Sequence, residues 1–243
     1  MEEKEKLLER IKSGIPGFDE ILCGGFFKRT VNVITGESGT GKTIFGAQFL
    51  YAGAKHGEKG MCVITSEESE YIRKEMYTSF GWDFWELEKS GIITFVDITD
   101  PNLRLQKSID IAPTELIKSF RNLLKNKITK ENPKRVFIDS IEALFLAIDS
   151  SYKMRSLVDD LFGVLRKLDV TTVVTVSTGF EVDHIIEYGA DSVIRLGRVI
   201  SGNNLQRSIC VLKLRGSNTV NEVRVLNISN TGMIVLPMSP FIK

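Results

Sequence analysis

Val31-Asn32-Val33-Ile34-Thr35 runs directly into Gly36-Glu37-Ser38-Gly39-Thr40-Gly41-Lys42-Thr43, and this junction decides the fold. The first five residues are an apolar, β-branched run of strand type. The next eight fit G-x-x-x-x-G-K-[ST], and Ile44 to His56 continues with apolar residues on one helical face until Gly57. In a strand–loop–helix setting, glycines let successive backbone N–H groups turn inward around an anion without Cβ clashes. The unpaired N–H groups and positive dipole end of the following helix add to that attraction. The expected phosphate cradle is Gly36, Ser38, Gly39, Thr40, Gly41, Lys42, Thr43 and Ile44. Lys42 would reach the β- and γ-phosphates and Thr43 would ligate Mg²⁺. The bland alternative is a strand–helix turn that uses glycine for geometry alone.

Composition narrows the setting. With 243 residues, 42% apolar and 26% charged, the chain has the size and make-up of a globular protein with a substantial core. A net charge of +1 gives no global pull toward nucleic acid or membrane. Cys23, Cys62 and Cys210 are far apart and form no C-x-x-C pair, which reads as reduced thiols in a cytoplasmic protein. His56 and His184 are the only histidines, so a His-rich metal site is excluded. The start, Met1-Glu2-Glu3-Lys4, does not read as a signal peptide, and no apolar run reaches the length of a membrane span.

Outward from the loop, strands and helices alternate. Ile15 to Leu22 reads as a turn and short helix closed by Gly24-Gly25, after a charged start over residues 1–9 that is expected to be flexible or helical. Strands are expected at Gly60–Thr65, Ile92–Val96, Arg135–Asp139 and Val170–Ser177, and helices after Ser66 or Ser69 as cap, at Pro113–Lys130 and at Met154–Leu168. That rhythm predicts βαβ units and a parallel, doubly wound sheet. From Asp191 the pattern changes to strands joined by short Gly/Asn/Ser turns, at Val193–Leu196, Ser208–Leu214, Val223–Ile228 and Met233–Leu236. These predict an antiparallel extension of the same sheet, and a single domain over 1–243.

Further chemistry is expected at the strand ends. Asp139 closes an apolar strand and is the natural second Mg²⁺ group, with Ser140 beside it. Glu67 and Glu68 follow the strand ending at Thr65, taken as the neighbour of the phosphate-loop strand. One could orient or deprotonate an attacking water; the alternative is first-turn acids complementing a helix dipole. Ser177 and Thr178 could touch a γ-phosphate or be ordinary strand-end hydroxyls. Trp82 and Trp85 favour core packing over base stacking. Lys213 and Arg215 share a strand face opposite Leu214. They are either a solvated edge that discourages aggregation or phosphate-directed cations, and in the second case they act through a neighbouring subunit.

Taken in order, these segments resemble the KaiC branch of the RecA/RadA superfamily. The carrying residues are Gly14-Ile15-Pro16-Gly17-Phe18-Asp19, Gly24-Gly25, the loop Gly36–Thr43, Phe49-Leu50-Tyr51, Glu67-Glu68, Phe80-Gly81-Trp82-Asp83, Ile138-Asp139-Ser140, Thr171-Thr172-Val173, Asp191–Leu196 and Lys213-Leu214-Arg215-Gly216. The resemblance implies an α/β, RecA-like P-loop fold and an ATPase that uses ATP and Mg²⁺. It also implies a homo-oligomer, a hexameric ring or similar, with ATP bound between subunits. In that reading Glu67 with Glu68 activates water, and Lys213 and Arg215 act in trans on a neighbour's γ-phosphate, a contribution of roughly 10³–10⁵ in rate where such a finger operates. Nucleotide state would then control assembly or the binding of a protein partner. The chain departs from the pattern at Asn218-Thr219, where a His is common, and at the bulky Phe26-Phe27. No autophosphorylated Ser-Thr pair has a clear counterpart, so an autokinase role is not carried over. Two other functions remain open: a RadA-type repair accessory binding single-stranded DNA, with limited support because there is no basic excess and Lys118, Arg121, Lys125, Lys127 and Lys130 can be a solvated helix face, and a nucleotide-sensing scaffold with little turnover.

Overall fold

A computed structural model describes residues 9–66, 68–98, 112–179, 181–201, 203–217 and 222–241. Its centre is a nine-stranded sheet, and the phosphate-loop strand β3 (Val31–Gly36) is an inner member. β3 runs parallel to β7 (Thr171–Ser177) on one side and to β8 (Ser192–Ser201) on the other, with Gly36 opposite Ser177 and Thr35 opposite Arg195. Beyond β7 lie β6 (Arg135–Asp139), β4 (Gly60–Ile64) and β5 (Ile93–Asp97), all parallel. The opposite flank is antiparallel: β9 (Asn204–Leu214), β10 (Arg224–Ser229) and β11 (Gly232–Val235). A separate small ribbon pairs β1 (Arg10–Ile11) with β2 (Phe26–Phe27), burying Phe26 and setting Arg10 over the Phe27 ring.

Period-two patterning explains the two-sided core. Val31 and Val33 of β3, Val136 and Ile138 of β6, and Met61 and Val63 of β4 face one layer. That layer is covered by α5 (Pro113–Glu131), α6 (Ser151–Lys167) and α7 (Val182–Gly189). Ile34, Phe137, Cys62 and Ile64 face the other. There they meet α1 (Phe18–Ile21), α2 (Lys42–Lys55), α3 (Ser69–Phe80) and α4 (Phe84–Lys89). The mostly parallel sheet, the flanking helices and the antiparallel C-terminal strands are those expected from the sequence, except that Val193–Leu196, expected in the antiparallel part, lies in β8, which is parallel to β3 and antiparallel only to β9.

Two further expectations are corrected. β4 is not the neighbour of β3, because β7 and β6 lie between them. The crossover from β3 to β4 runs over one face of the sheet through the 14-residue helix α2, leaving the places between them to two later strands. Its position is fixed at Gly46, where a Cβ would come 2.0 Å from the Phe137 ring; α2 therefore packs directly on β6. Neither Ser66 nor Ser69 caps α3 with its side chain. Glu68 is the N-cap residue, and the carboxylate of Asp97, at the end of β5, accepts from the Ser69 N–H at 2.8 Å. The spatial neighbour displaces the sequential one.

The pairing of β8 with β9 contains an irregularity. Ile194 pairs with Val211 but Val193 pairs with Lys213, so Leu212 is the extra residue of a bulge. β9 itself is an inner strand, but its pairs with β10 stop at Ile209, so the stretch from Cys210 to Leu214 is paired through β8.

Candidate nucleotide site

The carboxyl ends of β3, β6 and β7 bring the loop and its candidate partners together. Gly41 takes φ +107 and caps α2, and a Cβ there would meet Met233 Cε at 2.5 Å, so the turn needs glycine for both conformation and space. Gly39 is also left-handed, with φ +74. Lys42 Nζ donates to the carbonyl oxygens of Gly36 (2.9 Å) and Glu37 (3.0 Å), along the inside of the loop. Thr40 Oγ1 donates to Glu37 O at 2.8 Å and holds the loop's shape. Burial lowers the Lys42 pKa, opposed by the negative charges of Glu142 and Asp139.

Thr43 Oγ1 donates to Asp139 Oδ2 at 2.7 Å, and the other carboxylate oxygen accepts from Thr175 on the adjacent strand β7. Burial raises the Asp139 pKa, against the hydroxyl bonds from Thr175 and Thr43 and the charge of Lys42. A hydroxyl and a carboxylate side by side are hard oxygen donors of the kind Mg²⁺ takes. Ser140 also lines the cleft above the loop, and its backbone N–H and C=O both bond Thr65 Oγ1.

Above the loop is a cleft of about 460 Å³, lined by Ser38, Gly39, Lys42, Thr43, Asp139 and Ser177, and farther out by Tyr71, Glu75, Arg207 and Ile228. A wider cavity of about 650 Å³ lies among Lys28, Arg29, Lys134 and Asp169. It sits at the amino-edge end of β7, and its charges are matched internally, as in Lys134–Asp169 at 2.6 Å and Lys28–Glu9 at 3.0 Å. The smaller cleft is the one lined by the Gly36–Thr43 loop and Asp139.

Other expected residues fall elsewhere. Glu67 lies outside the described residues, and Glu68 is exposed, past Ser66 at the rim of the cleft. Asn218 and Thr219 also lie outside them. Trp82 is buried between Tyr51 (5.1 Å between ring centroids) and Phe80 (4.6 Å), while Trp85 is half-exposed and donates Nε1–H to Glu70. Thr178 lines a separate depression with Gly36, Glu37 and Arg195. Lys213 and Arg215 do not approach their own chain's loop. Lys213 Nζ donates to the Tyr188 (2.7 Å) and Glu187 (3.2 Å) carbonyls at the end of α7, and Arg215 Nη2 to Tyr188 O at 3.3 Å. Leu214 pairs with Ser192 at the start of β8, whereas Arg198, six residues on, touches the loop. Six strand residues span ~20 Å.

Sequence reasoning passed over three groups. Arg198 Nη2 donates to Gly39 O at 2.9 Å, and its cross-strand partner Arg207 lines the cleft, so two like charges face the loop from one hairpin. Glu142, in the 3₁₀ turn Ile141–Leu144, accepts from the Ser177 N–H at 3.0 Å. Their signal was available only as charge within otherwise apolar or strand-like runs.

With this geometry in place, comparison with known proteins is decisive. A family model described as "ATPase: KaiC" matches residues 11–239. The chain belongs to the KaiC family of ATPases. A UPF0273 protein of Pyrococcus horikoshii is 34% identical over 238 residues, which is 95% of either chain. A circadian clock protein KaiC3 of Synechocystis is 32% identical over 239 residues, but there the match is 96% of this chain and 46% of the relative, so the KaiC-family domain here spans about half of that protein. In three dimensions it is similar to a crystal structure of a KaiC-like protein from Pyrococcus horikoshii, with 34% identity, a TM-score of 0.80, and coverage of 94% of this chain and 99% of the other. Nucleotide binding follows from membership in this family.

Proposed function

We propose that residues 1–243 act as one ATPase domain that binds ATP with Mg²⁺ at the Gly36–Thr43 loop, hydrolyses it slowly, and works as a homo-oligomer. The observation that carries the nucleotide part is the Thr43–Asp139 hydrogen bond of 2.7 Å beside Lys42, which joins the loop to the acidic strand end. Thr43 and Asp139 would hold the metal, which supplies charge neutralisation on the β- and γ-oxygens. Lys42 binds the same oxygens, and Glu67 or Glu68 orients the water. The trans part is supported by the ~20 Å of strand that keeps Lys213 and Arg215 from the loop of their own chain. In a ring or similar assembly that edge would meet the next subunit's phosphates, so nucleotide state and subunit contacts would be coupled.

The test is mass measurement in solution with and without ATP and Mg²⁺, run beside phosphate release. Lys42→Ala should lose nucleotide binding. Arg215→Ala should bind ATP normally and hydrolyse it on the order of 10³-fold more slowly. A monomer under both conditions, or wild-type turnover by assembled Arg215→Ala, would reject the shared site. The single-stranded DNA reading draws less support, because Lys118, Arg121 and Lys130 are in ion pairs with Glu115, Asp160 and Glu131. Among the described residues, no helix is long and apolar enough to cross a membrane.

A further inference from the structure

Glu142 is a carboxylate with no role in the site as expected from the sequence. It lies three residues beyond Asp139, between Ile141 and Leu144, whose side chains enter the core, and it is itself only 5% exposed. One oxygen, Oε1, accepts the N–H of Ser177 at 3.0 Å; the other, Oε2, is buried without a hydrogen-bond partner. Leaving half of a buried carboxylate unmatched is costly, and an apolar side chain in the same turn would avoid that cost. The position explains what the charge could be for. Ser177 ends β7 beside Gly36 and lines the cleft. The charge of Glu142 acts on the Lys42 ammonium ahead of that of Asp139, although Asp139 is the group bonded to Thr43.

We propose that Glu142 is a positioning residue for the terminal phosphate: it fixes the end of β7 through the Ser177 amide and holds a buried negative charge against the γ-phosphate. This rests on the ATPase reading. In hydrolysis a water oxygen bonds to the γ-phosphorus as the bridging bond to the β-phosphate breaks, giving ADP and inorganic phosphate. As that bond stretches, charge moves toward the leaving β-phosphate and away from Glu142. The opposition is therefore felt more by bound ATP than by the transition state, which is the differential that raises turnover. ADP, without the γ-phosphate, escapes it.

Glu142→Gln separates this role from simple support, because the amide keeps an oxygen for the Ser177 N–H and removes only the charge. Titration calorimetry with Mg²⁺ and either a non-hydrolysable ATP analogue or ADP should show the analogue binding at least ~5-fold more tightly than to wild type, with ADP within ~2-fold. Steady-state assays should show KM and kcat falling together, kcat by ~10-fold, the signature of lost ground-state opposition. A prop for β7 would leave the ratio of the two affinities unchanged, and that result overturns the proposal. If Glu142→Gln does not fold, Glu142→Asp withdraws the charge by one methylene; the same direction of change is expected, and a wild-type affinity ratio again overturns it. A wild-type chain that binds both nucleotides without turnover rejects the ATPase reading, while the affinity ratio still decides the role of Glu142. Binding of neither nucleotide rejects both.

Discussion

Asp139 carries the sharpest conflict between stability and chemistry. Its carboxylate is bonded by Thr43 and Thr175, yet burial still raises its pKa. The charged form is thus less favourable folded than unfolded, and at neutral pH this weakens the fold. Asp139→Asn, of nearly the same shape, is expected to stabilise the chain by ~1 kcal/mol when melted without nucleotide. If Asp139 holds Mg²⁺ as proposed, the same change should cut hydrolysis on the order of 10²-fold. Calorimetry and phosphate release check the pair; a lower melting midpoint would mean that the hydroxyl bonds outweigh desolvation. Asp139 was legible in the sequence because it ends an apolar run. Glu142 was not, because its meaning comes from Ser177, 35 residues later on another strand.

At the scale of elements, the contact between α2 and β6 aligns the loop with Asp139. Gly46 is what permits it, and Phe137 fills the space that a side chain would need. Gly46→Ala should destabilise the protein by about 1–3 kcal/mol through overpacking, despite alanine's better helix propensity. Its ATP affinity should fall as well, since the helix can move only by carrying Lys42 and Thr43 off Asp139. A melting midpoint equal to or above wild type would show that the ring yields. Helices and strands were readable from periodicity because each is coded locally. The order of the strands was not: nothing in Gly60–Thr65 says that two later strands insert beside β3. The cap of α3 was hidden for the same reason, being supplied by Asp97 from a neighbouring strand.

For the whole molecule, the proposed division of the site between subunits makes a prediction that no single chain can satisfy. Lys42→Ala chains retain the cations and lack the loop's lysine; Arg215→Ala chains have the reverse. Each should be inactive alone. Mixed and allowed to exchange in equal amounts, they should regain activity at roughly a quarter of the sites, where an intact loop meets an intact neighbour. Phosphate release measured against mixing ratio checks this, and no recovery in demonstrably mixed oligomers would argue for a site complete within one chain. The family and fold were visible in the sequence because its signature segments occur in order along almost the whole length. The distance between loop and cations was not, since it depends on how far β8 runs across the sheet.

Leu212, the unpaired residue of the β8–β9 bulge, sets the phase of the last residues of β9. Ile209 and Val211 face the apolar layer, and unbroken alternation would send residue 213 there next; with the extra residue it is Leu214 that enters the layer. Lys213 and Arg215 are thereby turned outward to the end of α7. Deleting Leu212 would restore even pairing and leave the later residues of β9 on their present faces, because only the residue without a cross-strand partner is removed. Lys213 would follow Val211 directly and still point away from the apolar layer, with Leu214 still inside it. Such a variant should stay within about 1 kcal/mol of wild type in a thermal melt, and it should still present both cations to a neighbour; a larger loss would mean that the bulge itself is needed. The bulge thus lets the strand carry one residue more than its partner while its two cations keep the same face.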